Sequence, residues 1–216
     1  MTREARLHVA AVDGKWYGLA AAGDTVAATA VGPTREKVLA SLRQSLAPGV
    51  GWRTSDERSS FVERTLAMLV DLEAGREDGR ELRLAADLVG EPFAAILGVA
   101  SAIPRGCVTT YGDVARTAGA EAREVGVAMA RNPVYPIVPC HRVVGAGFAL
   151  TGYAGSRAPA ALRAKLERLA KEARGVREER DVPTTAGPLH VYPVERAIER
   201  ARREEADATR QRSLFE

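Results

Sequence analysis

Between residues 7 and 31 the chain runs through three short apolar stretches, LHVAAV, WYGLAAA and TVAATAV, parted by Asp13-Gly14 and Gly23-Asp24. Asp-Gly and Gly-Asp dipeptides between apolar runs are hairpin signals, because such residues tolerate the positive φ of a two-residue loop. The pattern predicts a small antiparallel sheet. The period then lengthens: after Pro33 and Thr34, Val38, Leu42 and Leu46 recur at i, i+4 and i+8 until Pro48-Gly49, which marks a helix. Thr54 and Glu57 read as a capping box before a second helix with Phe61, Thr65, Leu69 and Leu72 on one face. Gly75 to Gly79 is a charged break, and ELRLAADLVG leads out of this half.

A second half begins near Glu91-Pro92, with Phe93, Ile96, Leu97 and Ala100 at helical spacing and Pro104-Arg105-Gly106 as the stop. After the extended CVTT, Thr110 and Asp113 cap a helix to about Ala118, Gly119 turns the chain, and a further helix runs from about Ala120 to Arg131. Two short helices about a glycine predict a helix-turn-helix, a unit that serves both DNA binding and plain packing. Arg123 stands near the start of its second helix, where a cation opposes the helix dipole and so points to an anionic partner. The glycine-rich GAGFALTGYAG predicts a hairpin or tight loop. It is no dinucleotide fingerprint, since Leu150 stands where the third glycine would be. A helix from about Ser156 to Ala173 follows, with Leu162, Leu166 and Leu169 on its core face and Glu167 beside them. PTTAGP reads as a linker, and Val191, Val194, Ile198 and Ala201 mark one face of a charged final helix.

Composition narrows little. The 216 residues carry a net charge of +3, which permits a nucleic-acid partner without demanding one. Two cysteines, Cys107 and Cys140, make neither a disulfide framework nor a cysteine-rich zinc site, and with no signal peptide or membrane-length apolar run they predict an intracellular, cytoplasmic protein. Asn132 is the sole asparagine and glutamine occurs only at 44 and 211, an avoidance of thermolabile residues that fits a thermophile or a GC-rich genome.

The chemistry concentrates in PIVPCHRVVG, residues 136–145. Pro136 and Pro139 fix φ and remove donors, so Cys140 is predicted on a stiff, extended stretch. A cysteine so held reads equally as a packed thiol or as a positioned nucleophile. His141 adjoins it, but neighbouring side chains on an extended segment point apart.

PVYPIVPCHRVVG, preceded by IPRGCVTTYGDVA and followed by GYAG, resembles the O6-alkylguanine-DNA alkyltransferases over roughly residues 91 to 173. The resemblance implies a small ribonuclease-H-like α/β domain over 1–90, a mostly helical, winged-helix-like helix-turn-helix domain over 91–173, and a charged C-terminal extension over 174–216. It implies direct repair, in which Cys140 irreversibly takes the alkyl group from O6 of guanine, with no cofactor and no metal. His141 would be the base, acting through a water, and Glu167, fourteen residues after Tyr153, its orienting carboxylate. Tyr111 would press on the target phosphate and protonate the guanine ring. Arg123 would fill the stack left by the extruded nucleotide. Asn132 would brace the turn, Val143 would offer its carbonyl to the base, and Tyr153 and Ala154 would form the lid. The implied partner is double-stranded DNA, bound through the minor groove with little sequence preference by a monomer associated with the nucleoid.

The chain departs from the family pattern in places. Only AEA separates Gly119 from Arg123, about two residues fewer than usual, and Thr151 and Ser156 replace lid glycines. The terminal QRSLFE resembles sliding-clamp-binding peptides, with Gln211, Leu214 and Phe215 as anchors. Two other readings remain: a DNA-binding protein that senses alkylation without repairing it, which the acceptor cysteine disfavours, and a cysteine hydrolase, for which no oxyanion-loop signature is present.

Overall fold

The computed structural model describes residues 4–74, 76, 83–85, 93–175 and 178–212. The expected domain start at Glu91-Pro92, most of the Gly75 to Gly79 break and of ELRLAADLVG, and the anchors Leu214 and Phe215 lie outside the described residues. The chain divides into two compact units, one of residues 1–101 with 132–139, the other of 102–131 with 140–216.

The first unit is built on the expected hairpins. Strands β1 (Glu4–Val12), β2 (Lys15–Ala22) and β3 (Thr25–Gly32) pair antiparallel, with Asp13, Gly14 and Gly23 at positive φ in the turns. A fourth strand, β4 (Gly51–Thr54), joins β1 in parallel and makes the sheet mixed, in the order β3-β2-β1-β4. Its four residues are mostly exposed, so no apolar alternation announces it. Helix α1 (Arg35–Ser45) starts at Thr34, whose hydroxyl accepts from the Lys37 N–H, and buries Val38 and Leu42 against Leu7, Ala20 and Ala28 of the sheet. It sits close: a Cβ on Gly18 of β2 would come within 2.4 Å of Val38 Cγ1.

The expected Thr54/Glu57 capping box does not form. Thr54 ends β4, and α2 (Ser60–Glu73) is capped by Ser59, whose hydroxyl accepts from the Val62 N–H. Sheet pairing claims Thr54 first. Helix α3 (Phe93–Ser101) and the segment 132–139 complete this unit. Thr29 of β3 holds that segment, donating its N–H to the Pro133 carbonyl (2.8 Å) and its hydroxyl to that of Tyr135 (2.5 Å).

In the second unit the extended CVTT forms β5 (Cys107–Thr110), flanked by β6 (Val143–Val144) in parallel and β8 (Gly187–Pro193) antiparallel, with β7 (Arg180–Thr184) outside. PTTAGP is therefore no linker: it is the end of β7, its turn and the start of β8. Helices α4 (Tyr111–Ala118) and α5 (Ala122–Ala130) form the predicted helix-turn-helix, followed by α6 (Pro159–Glu172) and α7 (Glu195–Arg212). Val194, Ala197 and Ile198 share one core cluster with Val108, Val144 and Leu169. Among the described residues, 180–201 thus add a β-hairpin and the first turns of a helix to the packed interior, while 202–211 are exposed.

Candidate active site

The local backbone around Cys140 differs from the predicted extended stretch. Cys140–Arg142 is a single 3-10 turn between Pro139 and β6, and all three residues are buried. In the segment that precedes it in sequence, Asn132 donates its amide to the Val138 carbonyl (2.7 Å) while its side-chain oxygen accepts from the Val134 N–H (3.0 Å). Closing the turn 132–138 with one side chain needs a donor and an acceptor together, which an asparagine supplies.

His141 lies 4% exposed, with Nε2 at 2.7 Å from Oε1 of Glu172. Arg142 closes the same carboxylate from its other side: its Nε donates to Oε2 at 2.8 Å and its Nη2 to Oε1 at 3.0 Å. Burial alone would raise the Glu172 carboxyl, but the hydrogen bonds and charges of His141 and Arg142 outweigh it and hold the group down at about 2. Burial lowers His141 below its ordinary value despite Glu172, so the ring is neutral near pH 7. Hydrogen bonding to an ionised Glu172 assigns the proton to Nε2, which leaves the Nδ1 lone pair available as a base. Nδ1 is buried and has no hydrogen-bond partner among the described residues.

The carboxylate hydrogen-bonded to His141 is thus Glu172 and not Glu167, which is exposed. Helix facing is the reason. On α6 the buried positions are Lys165, Leu169 and Glu172, at i, i+4 and i+7, whereas Glu167 and Glu172 stand about 140° apart around the axis. Counting from Tyr153 cannot know how much chain precedes Pro159; the stripe of inward positions could have found Glu172.

Sequence reasoning also missed Lys165, which is fully buried and donates Nζ to the carbonyls of Val143 (2.7 Å) and Gly152 (3.0 Å). Burial lowers its ammonium to about 8, while the charge of Cys140 works the other way. That interaction is mutual, so the ammonium favours a Cys140 thiolate. Lys165 Nζ lies 6.0 Å from the centre of the Tyr111 ring. Tyr111 opens α4 behind the Thr110 cap, and burial raises its phenol, which is hydrogen-bonded to Thr151 and feels the Cys140 charge. The Val143 carbonyl expected to face a base thus already accepts one hydrogen bond.

Of these groups Cys140 and Tyr111 line a cavity of about 660 Å³, with the α5 face around Arg123 and Gly126 and residues 151–157, whereas His141, Val143 and Lys165 do not line it. The shortened turn before Arg123 is closed by Gly119 at φ 66° and by a reciprocal cap between Glu121 and Glu124, and Arg123 still reaches the cavity from the first turn of α5. Tyr153 and Ala154 also line it, Ala154 at φ 48°. Cys107 is buried on β5 and does not line the cavity. Gln211 is exposed near the end of α7. Among the described residues, no cluster of His, Cys, Asp or Glu could hold a metal ion.

Fold and cavity together define a protein with a helix-turn-helix whose second helix borders a buried cysteine, backed by a His–Glu–Arg cluster. Residues 91–174 match the family described as 6-O-methylguanine DNA methyltransferase, DNA binding domain, and parts of the chain are similar to curated proteins named methylated-DNA–protein-cysteine methyltransferase. The enzyme of that name from Pyrobaculum aerophilum is 57% identical over 53 residues, 24% of this chain and 36% of the relative. That from Mycobacterium leprae is 40% identical over 109 residues, 49% of this chain and 63% of the relative. The chain thus spans between 36% and 63% of the length of these two curated relatives. Mycobacterium tuberculosis OGT, solved in complex with DNA, superposes with a TM-score of 0.55 at 26% identity, over 78% of this chain and 92% of that one. The methyltransferase of Pyrococcus kodakaraensis shares the fold, with a TM-score of 0.53 at 23% identity over 78% and 99%.

Proposed function

We propose that this protein repairs DNA by direct reversal, Cys140 taking the alkyl group from O6-alkylguanine in one irreversible step. The observation that carries this reading is the placement of Cys140 at a cavity walled by the second helix of the helix-turn-helix, with Arg123 at its rim. The Cys140 proton passes toward Nδ1 of His141, the new Sγ–C bond forms as the C–O6 bond breaks, and Tyr111 donates a proton to the departing guanine. Glu172, held by Arg142, fixes the His141 tautomer, and the Lys165 ammonium stabilises the thiolate. Asn132 braces the turn leading to Cys140, and the Val143 carbonyl, Tyr153 and Ala154 receive the extruded base. No cofactor takes part, and each molecule acts once, since the thioether has no route back.

The partner is duplex DNA, entered from the minor groove by α5 with little sequence preference, so affinity falls with salt. Residues 91–173 carry the chemistry on a winged-helix-like scaffold, and the first unit is ribonuclease-H-like. The protein works as a cytoplasmic, nucleoid-associated monomer, and the Gln211, Leu214 and Phe215 tail docks on a sliding clamp. Among the described residues no helix is long and apolar enough to cross a membrane.

The test is intact mass after mixing with duplex DNA carrying O6-methylguanine. One methyl adduct, mapped to Cys140 and absent in Cys140→Ala, is expected. No adduct on folded protein, or one on Cys107, refutes the proposal.

A further inference from the structure

The loop that leads into the cavity wall at Thr151 is pinned by residues downstream of the family match. Residues 146–148 form a 3-10 turn in which Gly147 and the non-glycine Phe148 both take positive φ, 63° and 67°. A left-handed conformation is costly for a phenylalanine and persists only where its surroundings impose it. The surroundings here are β8 and α7. The Phe148 ring meets that of Tyr192 edge to face at 5.1 Å, and the Arg196 guanidinium lies 5.4 Å from the first ring and 5.3 Å from the second. Arg196 is oriented by Glu179, at 2.7 Å. Phe148 and Leu150 also pack on the cluster containing Val194, Ala197 and Ile198.

The inner end of the loop reaches the chemistry. The Gly145 N–H donates to the Ala149 carbonyl (2.8 Å), and Thr151 lies so close to Gly145 that a Cβ there would meet Thr151 Cγ2 at 2.5 Å. Thr151 lines the cavity and hydrogen-bonds Tyr111, and the neighbouring Gly152 carbonyl accepts from Lys165. A displacement of Phe148 is therefore passed along a short, tightly closed loop to the wall facing Cys140.

We propose that Arg196 and Tyr192 are positioning residues that set the size of alkyl group the Cys140 cavity admits, acting through Phe148 and Thr151. The inference extends the alkyl-transfer reading to substrate choice, but its geometry can be probed apart from that reading. The probes are iodoacetamide and N-benzyliodoacetamide, each of which loses iodide as Cys140 Sγ bonds to its methylene carbon. The measured quantity is the ratio of benzyl to unsubstituted rate constants, with the adduct mapped to Cys140.

Arg196→Ala should raise that ratio about three- to tenfold, the range expected for losing a two-ring cation contact. Arg196→Lys should restore part of the discrimination. Phe148→Leu should raise the ratio similarly and leave Arg196→Ala no further effect in its background. An unchanged ratio in folded Arg196→Ala and Phe148→Leu proteins, with both rate constants moving together, overturns the inference. Neither reagent needs DNA, so failure to accept methyl from O6-methylguanine would count against the repair reading alone.

Discussion

Replacing Glu172 by glutamine separates the buried cluster from the rest of the fold. Glutamine keeps the shape and still accepts the His141 Nε2–H, but removes the negative charge that faces Arg142, itself 3% exposed. The carboxyl titrates at about 2 in the folded protein against an ordinary 4.5, a difference of about 3 kcal/mol in favour of the folded state at neutral pH. Breaking a buried pair by removing one partner costs about 3–5 kcal/mol by comparison. With a urea slope of about 2 kcal/mol/M, Glu172→Gln should lower the unfolding midpoint at pH 7 by roughly 1.5 M. Glu167→Gln, at an exposed position on the same helix, should stay within about 0.5 kcal/mol of the parent.

The pH dependence has a fixed sign. Because the folded value is depressed, the contribution is complete above about 4.5 and is lost as pH falls towards about 2. The gap between parent and Glu172→Gln must therefore be wide at pH 7 and narrower at pH 3. Equal midpoints for the two glutamine variants at pH 7, or a gap that does not narrow on acidification, would refute the assignment of Glu172 as the ionised partner of His141 and Arg142.

Lys165 gives the same direction of slope in a higher pH window. Its folded value of about 8 lies below the ordinary 10.5, so the unfolded chain holds the proton longer and stability should rise between about pH 8 and 10.5. Denaturant midpoints should show that rise in the parent and not in Lys165→Met, which should also alkylate more slowly at pH 7. Gly145→Ala should cost about 1–3 kcal/mol by driving a methyl into Thr151, and Thr151→Ser, which removes the obstructing Cγ2, should return most of it in thermal unfolding. Ser59→Ala should cost about 1 kcal/mol as a lost helix cap, and Thr54→Ala markedly less, read by the same melts.

Much of this was legible in the residues, and for unequal reasons. The hairpins and the helix-turn-helix follow from turn chemistry and from the Thr110 cap, which are local. Cys140, Tyr111 and Arg123 stand in a tight motif around the helix-turn-helix, and all three line one cavity. Glu172 and Lys165 escaped because their roles depend on the facing of α6, and a lysine between leucines reads as a solvated charge until its burial is seen. The strand β4 and the hairpin β7-β8 escaped because their partners are distant in sequence: β4 pairs with the first strand, and β8 with β5, so local apolar pattern carries little trace of either.

The Thr29 contacts bear on how the protein can be divided. The first unit closes only when residues 132–139 return to it, thirty residues after its last helix. A fragment starting at residue 91 would keep that returning segment but lose Thr29, stranding the carbonyls of Pro133 and Tyr135 with buried Val134, Ile137 and Val138 beside them. Such a piece would present a sticky apolar loop immediately before Cys140. Recombinant versions meant to isolate the reactive half should therefore be cut elsewhere, or carry the loop's apolar residues replaced by polar ones.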